Sequence, residues 1–198
     1  MIDFIKSFIF ASEGLSTALV FERNFRILWL VALVVILSNY VISFGALYKI
    51  IFLLLIFLVL ACELINSALE NTCDNQGLAR NDLIKKAKDF AAAAVFLGAL
   101  FSLVILLVII QEEFAQIYFD IISNNFSFLF ILFIALCNFP LCLAKKLSRS
   151  ATILALLAIL AHAIIIIAYS GNLLFLVLGI IWHLLLQISH IKLYLCHQ

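Results

Sequence analysis

Six stretches of about 20 predominantly apolar residues limit what this chain can fold into more than any other feature. Hydrophobic residues make up 67% of the 198 residues and charged residues only 12%, whereas charged residues approach about 25% in soluble domains. The runs are continuous rather than alternating, which predicts membrane helices and not a barrel. We therefore expect an all-α integral membrane protein with spans at about residues 27–47, 50–70, 90–110, 126–144, 151–169 and 172–191.

Residues 1–26 precede the first span and are expected to form an amphipathic helix on the membrane surface, with a frayed tail as the alternative. Of the 12 Lys and Arg residues, 11 then fall on one side of the membrane and Lys49 alone on the other. Because cytoplasmic loops carry the excess of basic residues, both termini are expected in the cytoplasm. Segment 111–125 contains acidic residues and no Lys or Arg, which predicts a loop on the far side. The net charge of +1 argues against a nucleic-acid partner.

The second apolar run ends in a polar stripe on one side of a helix. At about 100° per residue, Asn66, Glu70 and Asp74 lie at about 300°, 340° and 20° relative to Glu63. Carboxylates at membrane depth are expensive and mark functional sites by default. The pattern predicts the polar edge of an active site at the cytoplasmic interface, where metal and phosphate chemistry would occur beside lipid.

Two carboxylates from different helices, Glu22 and Glu70, could hold a divalent cation whose other ligands are phosphate oxygens, as is usual for Mg²⁺. The cations Lys88, Lys86 and Arg26 could neutralise the remaining phosphate charge. Each of these charges taken alone could equally be a solvated interfacial residue. No GxxxxGK[ST] loop or protein-kinase glycine loop occurs in the sequence, so a soluble nucleotide-binding fold is excluded.

Glu63 lies furthest into the apolar run and needs a partner there. It could accept a proton from an attacking hydroxyl, or orient that hydroxyl by a hydrogen bond, and either role suits phosphoryl transfer. Asn66, one turn further on, could hold the neighbouring carboxylate or a phosphate oxygen. The alternative for Asn66 is a hydrogen bond between helices.

Three segments in order, FERNFRI at 21–27, ELINSALENTCD at 63–74 and KKAKDFAAAAV at 85–95, closely resemble the small prokaryotic membrane lipid kinases, the diacylglycerol kinase and undecaprenol kinase family. The resemblance covers about residues 1–115. It implies a surface helix plus three spans per subunit, a homotrimer with active sites shared between subunits, MgATP as the donor and a membrane lipid alcohol as the acceptor.

By matching position, the resemblance implies that Glu22 and Glu70 are metal ligands and that Glu63 is the catalytic base, with Asn66 beside it. Five residues are implied to bind or position the nucleotide: Glu22, Glu70, Asp74, Lys88 and Asp89. The short family members lack everything after about residue 118. We therefore expect a kinase domain at 1–118 and a three-helix membrane extension of unknown role at 119–198.

The first hypothesis is an ATP-dependent kinase of the bacterial cytoplasmic membrane that phosphorylates diacylglycerol to phosphatidic acid. Undecaprenol is the main alternative acceptor, and the ERNFRI segment somewhat favours the undecaprenol kinase branch of the family. A hypothesis of another class is a non-catalytic membrane scaffold or small transporter. Transport predicts ionisable residues through the midplane of several spans, whereas here they cluster at one interface, which favours the enzyme.

Overall fold

The computed structural model describes residues 2–75, 82–123 and 125–143, together with a few isolated positions beyond residue 156. The described residues form six helices: α1 (Ile2–Phe21), α2 (Arg23–Val41), α3 (Ala46–Asn75), α4 (Asp82–Glu112), α5 (Phe114–Ser123) and α6 (Asn125–Leu143). The predicted all-helical class is confirmed for this part of the chain. Apart from those isolated positions, the predicted spans at 151–169 and 172–191 lie outside the described residues.

Two of these helices, α3 and α4, are long and apolar enough to cross a membrane. They correspond to the predicted second and third spans, but each extends beyond its predicted range. At about 1.5 Å per residue, 30 residues reach about 45 Å, which exceeds the roughly 30 Å hydrocarbon core. Each helix therefore carries polar turns past the edge of the membrane.

The chain divides into two compact units. The first contains Met1–Val41 and Ser123–Gln198, and the second contains Ile42–Ile122. In the first unit α2 packs against both α1 and α6. This grouping differs from the predicted division at residue 118. That division separates the family domain from its C-terminal extension, not one packing unit from another, and it stays a prediction.

The first unit is built on the apolar side of α2. Its largest fully buried apolar side chains come from all three helices: Leu19, Phe25, Leu33, Ile36, Leu37 and Ile134. The chain passes from α1 to α2 without a loop, because the Glu22 N–H donates to the Ala18 carbonyl at 2.9 Å and the Glu22 carbonyl accepts from the Arg26 N–H at 3.2 Å. The helix predicted at residues 1–26 is observed as α1 and ends at Phe21 rather than at residue 26, and its place on the membrane surface stays a prediction.

In the second unit α3 and α4 form an antiparallel pair. The end of α3 meets the start of α4 at Asp74 and Lys88, and Val59, near the middle of α3, lies beside Gly98, near the middle of α4. Gly45 precedes α3, and its carbonyl accepts the Lys49 N–H at 3.3 Å in the first turn. The pairing brings the polar first turns of α4 next to the polar last turns of α3.

The predicted loop at 111–125 is wrong. The segment continues α4 as far as Glu112 and then forms the ten-residue helix α5. Its apolar residues recur at helical spacing, with Ile117, Tyr118, Ile121 and Ile122 following Phe114. This periodicity outweighs the acidic residues that suggested a loop, because three carboxylates in fifteen positions are compatible with a helix that has one polar side.

Candidate functional site

The predicted polar stripe lies entirely on α3 and is called the carboxylate stripe here. It consists of Glu63, Asn66, Glu70 and Asp74. Glu63 is only 4% exposed and Asn66 only 6% exposed, Glu70 is half-buried, and Asp74 is exposed. The exposure of these polar side chains to solvent therefore increases along three turns of α3, from the buried carboxylate of Glu63 to the exposed carboxylate of Asp74.

Asn66 links the buried and accessible parts of the carboxylate stripe. Its Nδ2 donates to Glu70 Oε1 at 3.2 Å, while its Oδ1 is buried and has no hydrogen-bond partner within the part of the chain that the structure describes. The amide orientation follows from the carboxylate, since the reversed amide would place Oδ1 against another oxygen that carries negative charge. A buried acceptor without a donor is rare in folded proteins and marks a position where a bound ligand can supply the missing partner.

Lys88 ties α4 to the accessible end of the stripe. Its Nζ lies 2.6 Å from Asp74 Oδ1. An ammonium group has three donors, so Lys88 can hold Asp74 and still offer N–H groups to a phosphate. Asp89 and Lys86 are exposed in the same turns of α4. The structure thus joins two of the predicted nucleotide-binding residues, Asp74 and Lys88, where the end of α3 meets the start of α4, and Asp89 follows Lys88 in the same turn.

The remaining predicted metal ligand, Glu22, lies in the first unit, where it is half-buried at the junction of α1 and α2. Its pairing with Glu70 stays a prediction. Arg26, expected from the sequence to face phosphate, is instead buried at 3% exposure. Its Nη1 donates to the Val20 carbonyl at 2.5 Å. This bond satisfies a carbonyl in the last turn of α1, which a helix end otherwise leaves without a partner.

Ser67 is a polar residue of this region that the sequence reasoning missed. It is buried at 7% exposure and follows Glu63 by four residues, so it lies on the same side of α3. Its carbonyl accepts a hydrogen bond from Asn71 Nδ2 at 2.9 Å. The i, i+4 spacing from Glu63 was the signal that could have identified it.

The oxygen donors of this region suit a hard cation. Glu70 offers carboxylate oxygens at an accessible position and Asn66 offers an amide oxygen, which are ligands that Mg²⁺ prefers. Among residues 2–75, 82–123 and 125–143 no group of three or more His, Cys, Asp and Glu side chains could hold a metal ion by itself. In nucleotide sites Mg²⁺ takes much of its coordination from phosphate oxygens, beside one or two carboxylates.

Comparison with known families adds the decisive observation. The family model of prokaryotic diacylglycerol kinase matches residues 9–110, just over half of the chain. The chain belongs to the prokaryotic diacylglycerol kinase family. It is therefore a membrane-type lipid phosphotransferase, and the resemblance inferred from the three motifs is confirmed. The matched range includes the carboxylate stripe, the Lys88 turn and Glu22, and it ends before α5.

Individual members of the diacylglycerol kinase family are similar to the chain at comparable levels. An undecaprenol kinase of Bacillus subtilis is 35% identical over 106 residues, which are 54% of this chain and 86% of the relative. A diacylglycerol kinase of Synechocystis is 35% identical over 104 residues, 52% of this chain and 59% of the relative. One of Helicobacter pylori is 35% identical over 101 residues, 48% of this chain and 75% of the relative. No solved structure matches the chain significantly.

Proposed function

We propose that this protein transfers the γ-phosphate of ATP to the hydroxyl of diacylglycerol, giving phosphatidic acid at the cytoplasmic face of the membrane. The observation that carries the proposal is the carboxylate stripe, in which an enclosed carboxylate, an amide with an unpartnered oxygen and an accessible carboxylate follow one another on α3. This order suits a reaction whose acceptor comes from the lipid and whose donor comes from water.

Glu63 is the residue proposed to act on the lipid hydroxyl. It is nearly fully buried on a helix whose preceding residues are apolar, and its surroundings therefore have a low dielectric constant, in which its interaction with a hydroxyl is strengthened. It would accept the hydroxyl proton or orient the hydroxyl through a hydrogen bond. Asn66 would complete the catalytic pair by directing its Oδ1 at the bound substrates while Nδ2 keeps Glu70 in place.

Glu70 and Glu22 are the proposed ligands of Mg²⁺, which when bound supplies charge neutralisation to the phosphates. Asp74, Lys88 and Asp89 would position the nucleotide. The hydrogen bond to Asp74 already restricts the Lys88 side chain next to the stripe. Lys88 would therefore lose less conformational entropy when it contacts a phosphate. Positioning and charge stabilisation account for most of phosphoryl-transfer catalysis, and these residue types supply both.

The acceptor could also be undecaprenol, because the Bacillus subtilis undecaprenol kinase is matched over 86% of its length at the same 35% identity as the diacylglycerol kinases. Both lipids present a primary hydroxyl and long apolar chains. We place diacylglycerol first because the family match and the two other relatives described above carry that name.

We further propose a homotrimer with shared active sites, located in the bacterial cytoplasmic membrane with both termini inside. Within the described residues α4 buries only Ile109, and Ala92, Ala93 and Ala94 are exposed on its surface. Small side chains allow close approach of another helix. A neighbouring subunit packed on α4 could bring its own Glu22 to the stripe.

The test is transfer of labelled γ-phosphate from MgATP into lipid by purified protein in mixed micelles, with diacylglycerol or undecaprenol supplied separately. Glu70→Gln is expected to abolish transfer, whereas Glu112→Gln, the same change at an exposed position near the end of α4, is expected to leave it intact. Labelling of undecaprenol alone would replace the proposed acceptor. Labelling of neither lipid by folded protein would refute the proposed substrates.

A further inference from the structure

Helix α5 follows α4 so closely that its depth in the membrane is set by α4. Only Glu113 separates the two helices, and the hydrogen bonds of Glu113 N–H to the Ile109 carbonyl and of Ile117 N–H to the Glu113 carbonyl, both 2.9 Å, bridge the junction. Because α4 is long and apolar enough to span the membrane, α5 begins where α4 leaves it. The family match ends at residue 110, so α5 is an addition to the matched region.

Asp120 fixes the orientation of α5. This carboxylate is buried at 5% exposure, and its Oδ2 accepts hydrogen bonds from the Ser43 N–H at 2.9 Å and from Gln116 Nε2 at 3.1 Å. Ser43 lies in the turn that precedes α3, so the bond joins α5 to that turn. Glu113, at the junction of α4 and α5, interacts electrostatically with the Tyr48 hydroxyl of α3. The side of α5 that carries Asp120 therefore faces the turn before α3, within the second unit.

The opposite side of α5 is apolar and exposed. At about 100° per residue, Phe114, Tyr118 and Ile122 lie at about 0°, 40° and 80°, well away from Asp120 at about 240°. Phe114 is 64% exposed and Tyr118 61% exposed, and their rings stack with centroids 6.4 Å apart. Phe119, at about 140°, is 67% exposed at the edge of this surface, which is called the aromatic side here. An exposed apolar surface of this kind marks an interaction site.

We propose that α5 is a membrane anchor whose aromatic side lies in the boundary between lipid headgroups and acyl chains, at the end of the α3–α4 pair opposite the carboxylate stripe. The aromatic side is continuous with the exposed apolar residues of the last turns of α4, Leu107, Val108 and Ile110, which face the lipid next to it. Tyr and Trp are enriched at this depth, and amphipathic helices lie there.

The charge of α5 further defines the lipid it suits. Asp120 is its only charged residue, and that residue is turned toward the protein. No Lys or Arg is present to attract anionic headgroups, so the attachment rests on apolar and aromatic burial. The anchor is therefore expected to bind zwitterionic bilayers as well as anionic ones.

The test uses tryptophan fluorescence in phosphatidylcholine vesicles whose acyl chains carry bromine either near the headgroup or near the chain end. The emission of Trp29 and Trp182 in the unsubstituted protein is subtracted. Phe119→Trp is expected to be quenched at least twofold more by the shallow bromines than by the deep ones. Phe101→Trp, exposed in the middle of α4, should show the reverse order, and Lys85→Trp should respond to aqueous acrylamide instead.

Tyr118→Trp provides a second reporter if Phe119→Trp does not fold, and it should show the same preference for shallow bromines. Quenching of both reporters by acrylamide and not by bromolipid would overturn the proposal, because α5 would then face water. Resistance of both to every quencher would also overturn it, since the aromatic side would then be covered by protein, such as a second copy of the chain.

Discussion

Replacement of Asn66 by leucine should separate folding stability from catalysis. Leucine has the same number and branching of side-chain heavy atoms as asparagine, although its methyl groups are bulkier, and it removes both polar atoms. The change deletes one hydrogen bond, from Nδ2 to Glu70 Oε1 at 3.2 Å, which is at the long end of the normal range and worth about 0.5–1 kcal/mol. It also removes the buried, unpartnered Oδ1, which costs the fold about 1–3 kcal/mol. Counting these two polar terms alone, the free energy of unfolding is expected to rise by about 0–2.5 kcal/mol.

Activity should change in the opposite direction. If Oδ1 meets a donor or a cation only when the substrates are bound, its loss removes an interaction with a charged group worth about 1.5–3 kcal/mol. This corresponds to a fall in kcat/KM of about 10- to 150-fold. The rate of phosphate transfer at limiting MgATP and the unfolding midpoint should be measured in the same detergent, so that the two effects refer to one preparation.

Asn39 on α2 provides a matched control. It is 1% exposed, its Nδ2 donates to the Val35 carbonyl at 2.9 Å, and its Oδ1 is likewise buried without a partner. Asn39→Leu should match the stability change of Asn66→Leu and leave the transfer rate unchanged. The reasoning is refuted if Asn66→Leu keeps the normal rate, or if it loses stability and activity in parallel, as a purely structural residue would.

Three further changes test the site and the helix pair. Glu63→Gln should lower kcat by about 10²- to 10⁴-fold, as expected for loss of general-base catalysis, while circular dichroism and thermal midpoint stay unchanged; an active Gln variant would exclude the proposed proton transfer. Lys88→Gln should raise the KM for ATP with no change in thermal midpoint, because its ion pair is accessible to solvent, and Lys85→Gln should change neither. Gly98→Ala should stabilise the protein by about 0.5–1 kcal/mol in denaturant unfolding, since a Cβ there meets Val59 at an ordinary 3.9 Å; destabilisation would indicate a close neighbour from another subunit.

The carboxylate stripe could be predicted because it depends only on local geometry. Once residues 50–74 are assigned to one helix, the spacing of Glu63, Asn66 and Glu70 places them on one side without any tertiary information. The hydrogen bond between Asn66 and Glu70 is an i, i+4 contact and follows from the same periodicity. What the sequence could not supply is the unpartnered state of Asn66 Oδ1, which depends on everything packed around it.

The role of Asp120 could not be predicted, because it depends on a long-range contact. One of its partners is a backbone N–H 77 residues away, and a backbone donor is present whatever the side chain at that position. The same carboxylate therefore suggested a solvated loop from sequence, although in the structure it holds a helix. Arg26 was misjudged for a related reason, because its acceptor is the Val20 carbonyl. Both errors concern ionisable residues that form hydrogen bonds with main-chain groups. The pattern of charges in a sequence does not reveal such partners.

The two ends of α3 together set the depth at which the chemistry would occur. If α5 keeps the first end at the outer boundary, the hydrocarbon region begins near Lys49, the last charge before the apolar run. A core of about 30 Å then ends about 20 residues later, near residue 69. Glu63 would lie about 9 Å inside the inner boundary, Glu70 close to that boundary and Asp74 about 7–8 Å beyond it. The order of burial along the stripe matches this gradient. A lipid hydroxyl at the inner boundary of the hydrocarbon region and a phosphate approaching from the cytoplasm could therefore meet between Glu63 and Glu70.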